Sequence, residues 1–208
     1  MNFNLMTISV SILIIIFTIS FISNIIPFAG TPYTLIATNF LIAFGMTAEN
    51  LILVIIISGV GAALSKSLTY LFGIALRKPL HKNKNLPLLD KFVKSKYFPL
   101  ALFITAIIPG LPLDDYLYIG GGITRVSLMK MLLITVPSKI LKSAIEIPIE
   151  LFGIIKISNI IDINPLFLSI GLTVLFIILG IVLIKIDWHS IYWKIAQKYL
   201  NNRKSNFL

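Results

Sequence analysis

The sequence predicts an all-α integral membrane protein: four transmembrane helices and two re-entrant helical hairpins in an inverted repeat, with interfacial amphipathic helices. Three observations predict it. Of 208 residues, 57% are hydrophobic and only 12% charged, and the mean hydropathy is +0.96. A soluble domain carries about 25% charged residues, and half of that would not cover a water-facing surface. Two of the apolar stretches are cut in the middle by proline and glycine. Finally, 18 Lys and Arg stand against 8 Asp and Glu, and most of these cations collect in a few segments. One crossing needs about 20 apolar residues, so residues 1–208 read as a single polytopic domain.

Residues 1–48 contain no Asp, Glu, Lys, Arg or His, which is too long for one crossing. Residues 5–23 read as a complete first helix. It is expected to be retained, because no positive segment precedes it and its apolar run outlasts that of a signal peptide. The stretch Asn24-Ile-Ile-Pro27-Phe-Ala-Gly30-Thr-Pro32 then breaks any helix, since proline lacks the N–H and clashes with the preceding turn. Short apolar arms, 25–29 and 33–44, flank that break. Residues 50–76 form a second span interrupted only by Lys66. The basic loop 77–96 places Leu88, Leu89, Phe92 and Val93 at helical spacing, the pattern of a short interfacial helix. Residues 97–124 are apolar but broken at Pro99, Pro109-Gly110, Pro112 and Asp114-Asp115, with Gly120-Gly121-Gly122 suited to close helix packing or a hinge. A third span covers 128–152, with Pro137 and Pro148 inside it, and a fourth covers 165–184. In the tail, 187–208, Trp188, Ile191, Tyr192, Ile195, Tyr199 and Leu200 share one face, as in an aromatic-rich interfacial helix.

With four crossings and two hairpins, 14 of the 18 Lys and Arg fall on one side, which the positive-inside rule makes cytoplasmic. Both termini are then expected inside the cell membrane, Lys156 outside, and Lys66, Lys139 and Lys142 at membrane depth. Six full crossings would keep the two main basic segments on the same side. The short arms and their breaks favour hairpins.

Charge at membrane depth is the chemical clue, because each such group costs about 2.5–3.5 kcal/mol on insertion scales. Lys139, Lys142, Ser143, Glu146 and Glu150 recur at three- and four-residue steps, forming one polar stripe on the third span. Lys66 lies mid-helix in the second, and Asp114 and Asp115 sit near the tip of the second hairpin. One reading makes Lys66 and Lys139 the counter-charges of the two aspartates. The other makes a hydrated cavity for an anionic headgroup. Adjacent aspartates on one helix do not face each other as an aspartyl protease requires. No Ser/His/Asp set, H-E-x-x-H or phosphate-binding glycine loop is present, so no enzyme activity is expected. Cysteine is absent and His81 and His189 are far apart, so neither metal nor other cofactor is expected. The net charge of +10 suits anionic lipid headgroups, not nucleic acid.

The run Pro109-Gly110-Leu-Pro112-Leu-Asp114-Asp115-x-x-Tyr118-x-Gly120-Gly-Gly122-Ile-Thr-Arg125-Val-Ser-Leu-x-Lys130 resembles the central motif of the DedA, or SNARE-associated (VTT-domain), membrane proteins. The order of elements is similar too, over residues 25–152. The resemblance implies re-entrant hairpins and lipid movement: phospholipid scrambling, or recycling of polyisoprenyl phosphate carriers. It makes Arg125 a headgroup-binding or gating cation and Asp114 a conformational or protonatable partner. The chain departs from the pattern in the first hairpin, which has no acid between residues 23 and 34, and at Thr105-Ala106, where many members carry Arg.

The expected activity is therefore flipping or scrambling of an anionic lipid such as a polyisoprenyl phosphate, with membrane lipids as partners. Arg125, Lys139 and Lys142 would hold the phosphate. Lys66, Asp114, Asp115, Glu146 and Glu150 would pair, gate or carry a proton. A bulk phospholipid scramblase, an ion or small-solute carrier and a non-transporting scaffold remain alternatives, and a homo-oligomer is open.

Overall fold

The computed structural model of the chain describes residues 8–26, 32–80, 86–108 and 113–185. Of the hairpin-break residues only Pro32 is among them. Pro27, Gly30, Pro109, Gly110, Pro112 and the whole tail 187–208 lie outside the described residues.

Among the described residues the chain forms eight α-helices and no strand. They are α1 (Val10–Ser23), α2 (Tyr33–Phe44), α3 (Ala48–Leu80), α4 (Leu86–Val93), α5 (Phe98–Ile107), α6 (Leu113–Thr124), α7 (Leu128–Ile161) and α8 (Pro165–Lys185). One helix, Ala48–Pro79, is long and apolar enough by itself to cross a membrane. Two more, Leu128–Ile161 and Pro165–Leu179, pass the same measure only as a pair, bent by 115°.

Local chemistry explains the boundaries. Pro32 opens α2, where its missing N–H costs nothing, and Gly45, at φ 122°, closes it. The Thr47 hydroxyl accepts the Asn50 N–H at 3.1 Å and caps the first turn of α3. The expected third span stops at Phe152, but α7, 34 residues long in all, continues to Ile161. Nothing after Pro148 breaks it until Asp162 turns into the left-handed region at φ 54°. There the Ile163 N–H returns to the Ser158 carbonyl. Pro165 and the Asn164 side chain, which accepts the Leu166 N–H at 2.9 Å, then start α8.

The two long helices, α3 and α7, form an antiparallel pair. Val54 and Ile147 share one apolar cluster near one end, and Tyr70 and Met131 share a second near the other. Between them Gly59 lies against the Ile140 backbone, where an added methyl would meet Cα at 2.8 Å. Nearer the other end of α3, Gly73 and Gly122 let α6 approach backbone to backbone. A methyl on Gly122 would strike the Tyr70 carbonyl. The triple glycine is a packing surface.

The remaining helices repeat one plan around this pair. α1 packs on α3 as α5 packs on α7; α6 packs on α3 as α2 packs on α7; α4 lies on α6 as α8 lies on α2. α2 and α6 have 12 residues each and begin 80 positions apart (33 against 113), as do α3 and α7 (48 against 128). The residues that close α2 and α6, Gly45 and Arg125, both have positive φ.

Of the span expected at residues 5–23, the described residues hold α1, a helix of 14 residues. The Ile8 N–H, before α1, reaches the Asn50 side-chain oxygen at 2.9 Å, and Phe17 abuts Gly61. The other end of that Asn50 amide donates to the Gly45 carbonyl, after α2, at 3.0 Å. Thus α1 and α2 leave from and return to the same end of α3. The second pair does likewise at the opposite end of the bundle, where Phe98 at the start of α5 and Arg125 after α6 line one cleft.

Candidate functional site

The polar groups gather where the two broken pairs approach each other, between the two apolar clusters. Asp114 and Asp115 occupy the first turn of α6, where the helix dipole favours negative charge. Lys66 of α3 places its ammonium 2.5 Å from Asp115 and 3.6 Å from Asp114. Lys139 of α7 reaches Asp114 at 2.8 Å. All four side chains are buried, with exposures of 1–3%, so their charges must be met within the protein. Together they clamp the start of α6 to both central helices.

Along α7 the stripe continues into the other half. Lys142 lies 3.8 Å from Glu146. Its ammonium also donates to the Ile108 carbonyl at 3.4 Å, at the edge of the second break. One residue on, the Ser143 hydroxyl is 3.3 Å from the Tyr33 hydroxyl, at the edge of the first break. Lys142 and Ser143 are thus the point where the residues flanking both breaks, Ile108 and Tyr33, converge. Glu150 accepts the Thr34 hydroxyl at 2.7 Å and the Thr38 hydroxyl at 2.9 Å. No ion pair reaches it among the described residues.

The two halves are therefore fastened differently. α6 is held to its neighbours by buried ion pairs, whereas α2 is held to α7 by hydroxyl groups. Three lysines face four carboxylates, and neither Lys66 nor Lys139 is left over. Lys142, whose side chain keeps 11% exposure against 4% for Lys139, is the cation nearest to solvent in the stripe.

Of the residues singled out in the sequence, Lys66, Lys139, Asp114 and Asp115 come together as one cluster, and Lys142, Glu146 and Glu150 continue it. Arg125 is not brought to them. It lies past the end of α6, exposed, beside Lys94, Ser127 and Lys130. Sequence reasoning missed Tyr33, Thr34 and Thr38. Their only sign was the i, i+4 spacing of two threonines on an otherwise apolar arm, and a threonine can satisfy itself on its own helix, as Thr38 does with the Thr34 carbonyl. The buried Tyr118–Thr135 hydroxyl pair, at 2.8 Å, was equally silent.

No family model, curated protein or solved structure matches this chain.

Proposed function

We propose that the chain is a polytopic membrane protein that moves an anionic lipid across the bilayer, with a polyisoprenyl phosphate slightly ahead of bulk phospholipid. In this reading α1–α2 and α5–α6 are re-entrant hairpins dipping from opposite faces, and α3, α7 and α8 cross. The earlier count of four crossings falls to three, because α1 is an arm. The N-terminus then lies opposite the basic segments 77–96 and 186–208, which the charge bias puts in the cytoplasm.

The observation that carries the proposal is the convergence of both helix breaks on Lys142 and Ser143. Interrupted backbone is tolerated at membrane depth only beside protein or a water-filled path. Paired discontinuous helices in inverted halves are a transporter architecture. The similarity to DedA proteins in the run from Pro109 to Lys130 agrees with it.

Mechanistically, the phosphate would pass along the α7 stripe between the hairpin tips while its hydrocarbon tail stays in lipid. Lys142 would meet the phosphate, since it is the cation with a weak, partly exposed pairing. Lys139 would instead keep Asp114 neutralised and α6 in place. A second reading, a carrier of a small cation, is favoured by Glu150, which has no ion pair among the described residues.

The test is flipping by the purified protein in liposomes, comparing a fluorescent phospholipid with a labelled polyisoprenyl phosphate. Transport of either lipid, lowered several-fold by Lys142→Gln, is the expected result. Rates equal to protein-free liposomes for both lipids would sink the proposal, and cation flux in the same vesicles would select the second reading.

A further inference from the structure

The end of α6 poses a question that the buried layer does not answer. The Val126 N–H returns to the Gly121 carbonyl and the Arg125 N–H to the Gly122 carbonyl, the paired bonds of a Schellman helix end. Its left-handed residue is Arg125, at φ 58°. Glycine adopts that conformation without the Cβ clash. For the backbone alone, arginine is the poorer choice. Its side chain must recommend it.

That side chain lies on a cleft of about 360 Å³ between the α4–α5 turn and the α6–α7 turn. Lys94, Arg125 and Lys130 supply its cations, and Phe98 and Met131 are among its apolar lining. The Ser95 hydroxyl, also in the lining, is buried and has no hydrogen-bond partner among the described residues. An unmet buried hydroxyl beside three cations points to a ligand that brings acceptor oxygens. Among the described residues Asp90 is the one carboxylate paired with these cations, 2.7 Å from Lys94, and both partners are exposed. Such a surface pair is weak enough to yield to a phosphate. The volume exceeds that of a phosphate ion and falls in the range of small-ligand sites, and the apolar lining offers a place for hydrocarbon.

We infer that this cleft binds the phosphate headgroup of an amphiphile, with Lys94, Arg125, Lys130 and Ser95 on the phosphate and the first carbons of the tail against Phe98 and Met131. It is a separate station from the Lys142 stripe. The inference rests on the transport reading for its purpose, as a loading site on the basic face, but binding itself does not require that a lipid cross.

The experiment is equilibrium binding of a fluorescent short-chain phosphatidic acid to the full chain in detergent, with inorganic phosphate and an uncharged diacylglycerol as competitors. Arg125→Gly relieves the backbone while removing the side chain, so its melting temperature is expected at or above wild type. Its affinity is expected to fall by about tenfold or more, the scale of a hydrogen bond to a charged group. Lys130→Gln, an exposed change on α7, repeats the test if the glycine variant loses stability, and Lys156→Gln is the remote control. Competition by phosphate only at far higher concentration than by lipid supports an amphiphile site. Equal competition by phosphate and lipid overturns the tail assignment, and wild-type affinity in both Arg125→Gly and Lys130→Gln overturns the site. Liposome flipping is scored separately: intact binding without any flipping by wild type counts against transport alone.

Discussion

The Lys139 ammonium on α7 lies 2.8 Å from the Asp114 carboxylate on α6, and both side chains are buried. The contact ties the first turn after a helix break to the centre of the bundle. Lys66 approaches the same carboxylate from α3, so one aspartate joins three helices.

Removing that aspartate strands the buried Lys139, while Lys66 keeps Asp115. Asp114→Asn is expected to destabilise the protein by about 3–5 kcal/mol, the cost of breaking a buried pair. Adding Lys139→Met should recover part of the loss. Denaturation of the purified variants measures both. If single and double changes are merely additive, the two groups do not interact in the folded protein.

The two lysines of the stripe should separate stability from activity. Lys139→Gln leaves Asp114 with only the longer, 3.6 Å contact to Lys66 and is expected to lower the melting temperature. Lys142→Gln removes a long, partly exposed pairing with Glu146 and should leave melting near wild type while cutting lipid flipping several-fold. Thermal melts beside liposome assays make the comparison. Equal melting of the two variants would remove the distinction between clamp and path.

The hairpin mouth at Asn50 makes a topological prediction. Asn50→Leu loses the bonds to Ile8 and Gly45 and leaves buried backbone groups unmet, at about 1–3 kcal/mol. In sealed cells, a cysteine at Thr47 should be labelled only from outside and one at Lys130 only from inside. Labelling of both from one face would falsify the paired-hairpin arrangement.

Glycine contacts offer a test of packing without charge. At Gly122 the obstacle to a methyl is the Tyr70 backbone, which cannot swing aside, so Gly122→Ala should separate α6 from α3 and cost about 1–3 kcal/mol or more. At Gly153 nothing lies within 4 Å. Gly153→Ala, inside α7, is expected to stabilise by about 0.5–1 kcal/mol. Matching melting temperatures for the two variants would contradict the close approach of α3 and α6.

By itself the sequence determined the helices and their punctuation. The arm expected at 33–44 is α2 residue for residue, and the basic loop holds the amphipathic α4. These features follow from local rules: apolar runs, helical spacing, and proline's missing donor. The polar stripe on α7 was legible for the same reason, since residues three and four apart share a helix face whatever surrounds it.

Tertiary structure decided what each polar group meets. Lys66 and Asp115 are far apart in the chain, and Thr34 and Glu150 farther still, so no local pattern selects those pairs. It also brought the residue before α1 and the residue after α2 to one level of α3, where the Asn50 side chain bonds both Ile8 and Gly45. Finally, it separated Arg125 from Lys139. Sequence lists cations, but the left-handed turn after Thr124 and the antiparallel set of α3 and α7 assign one to an open cleft and the other to a dry ion pair.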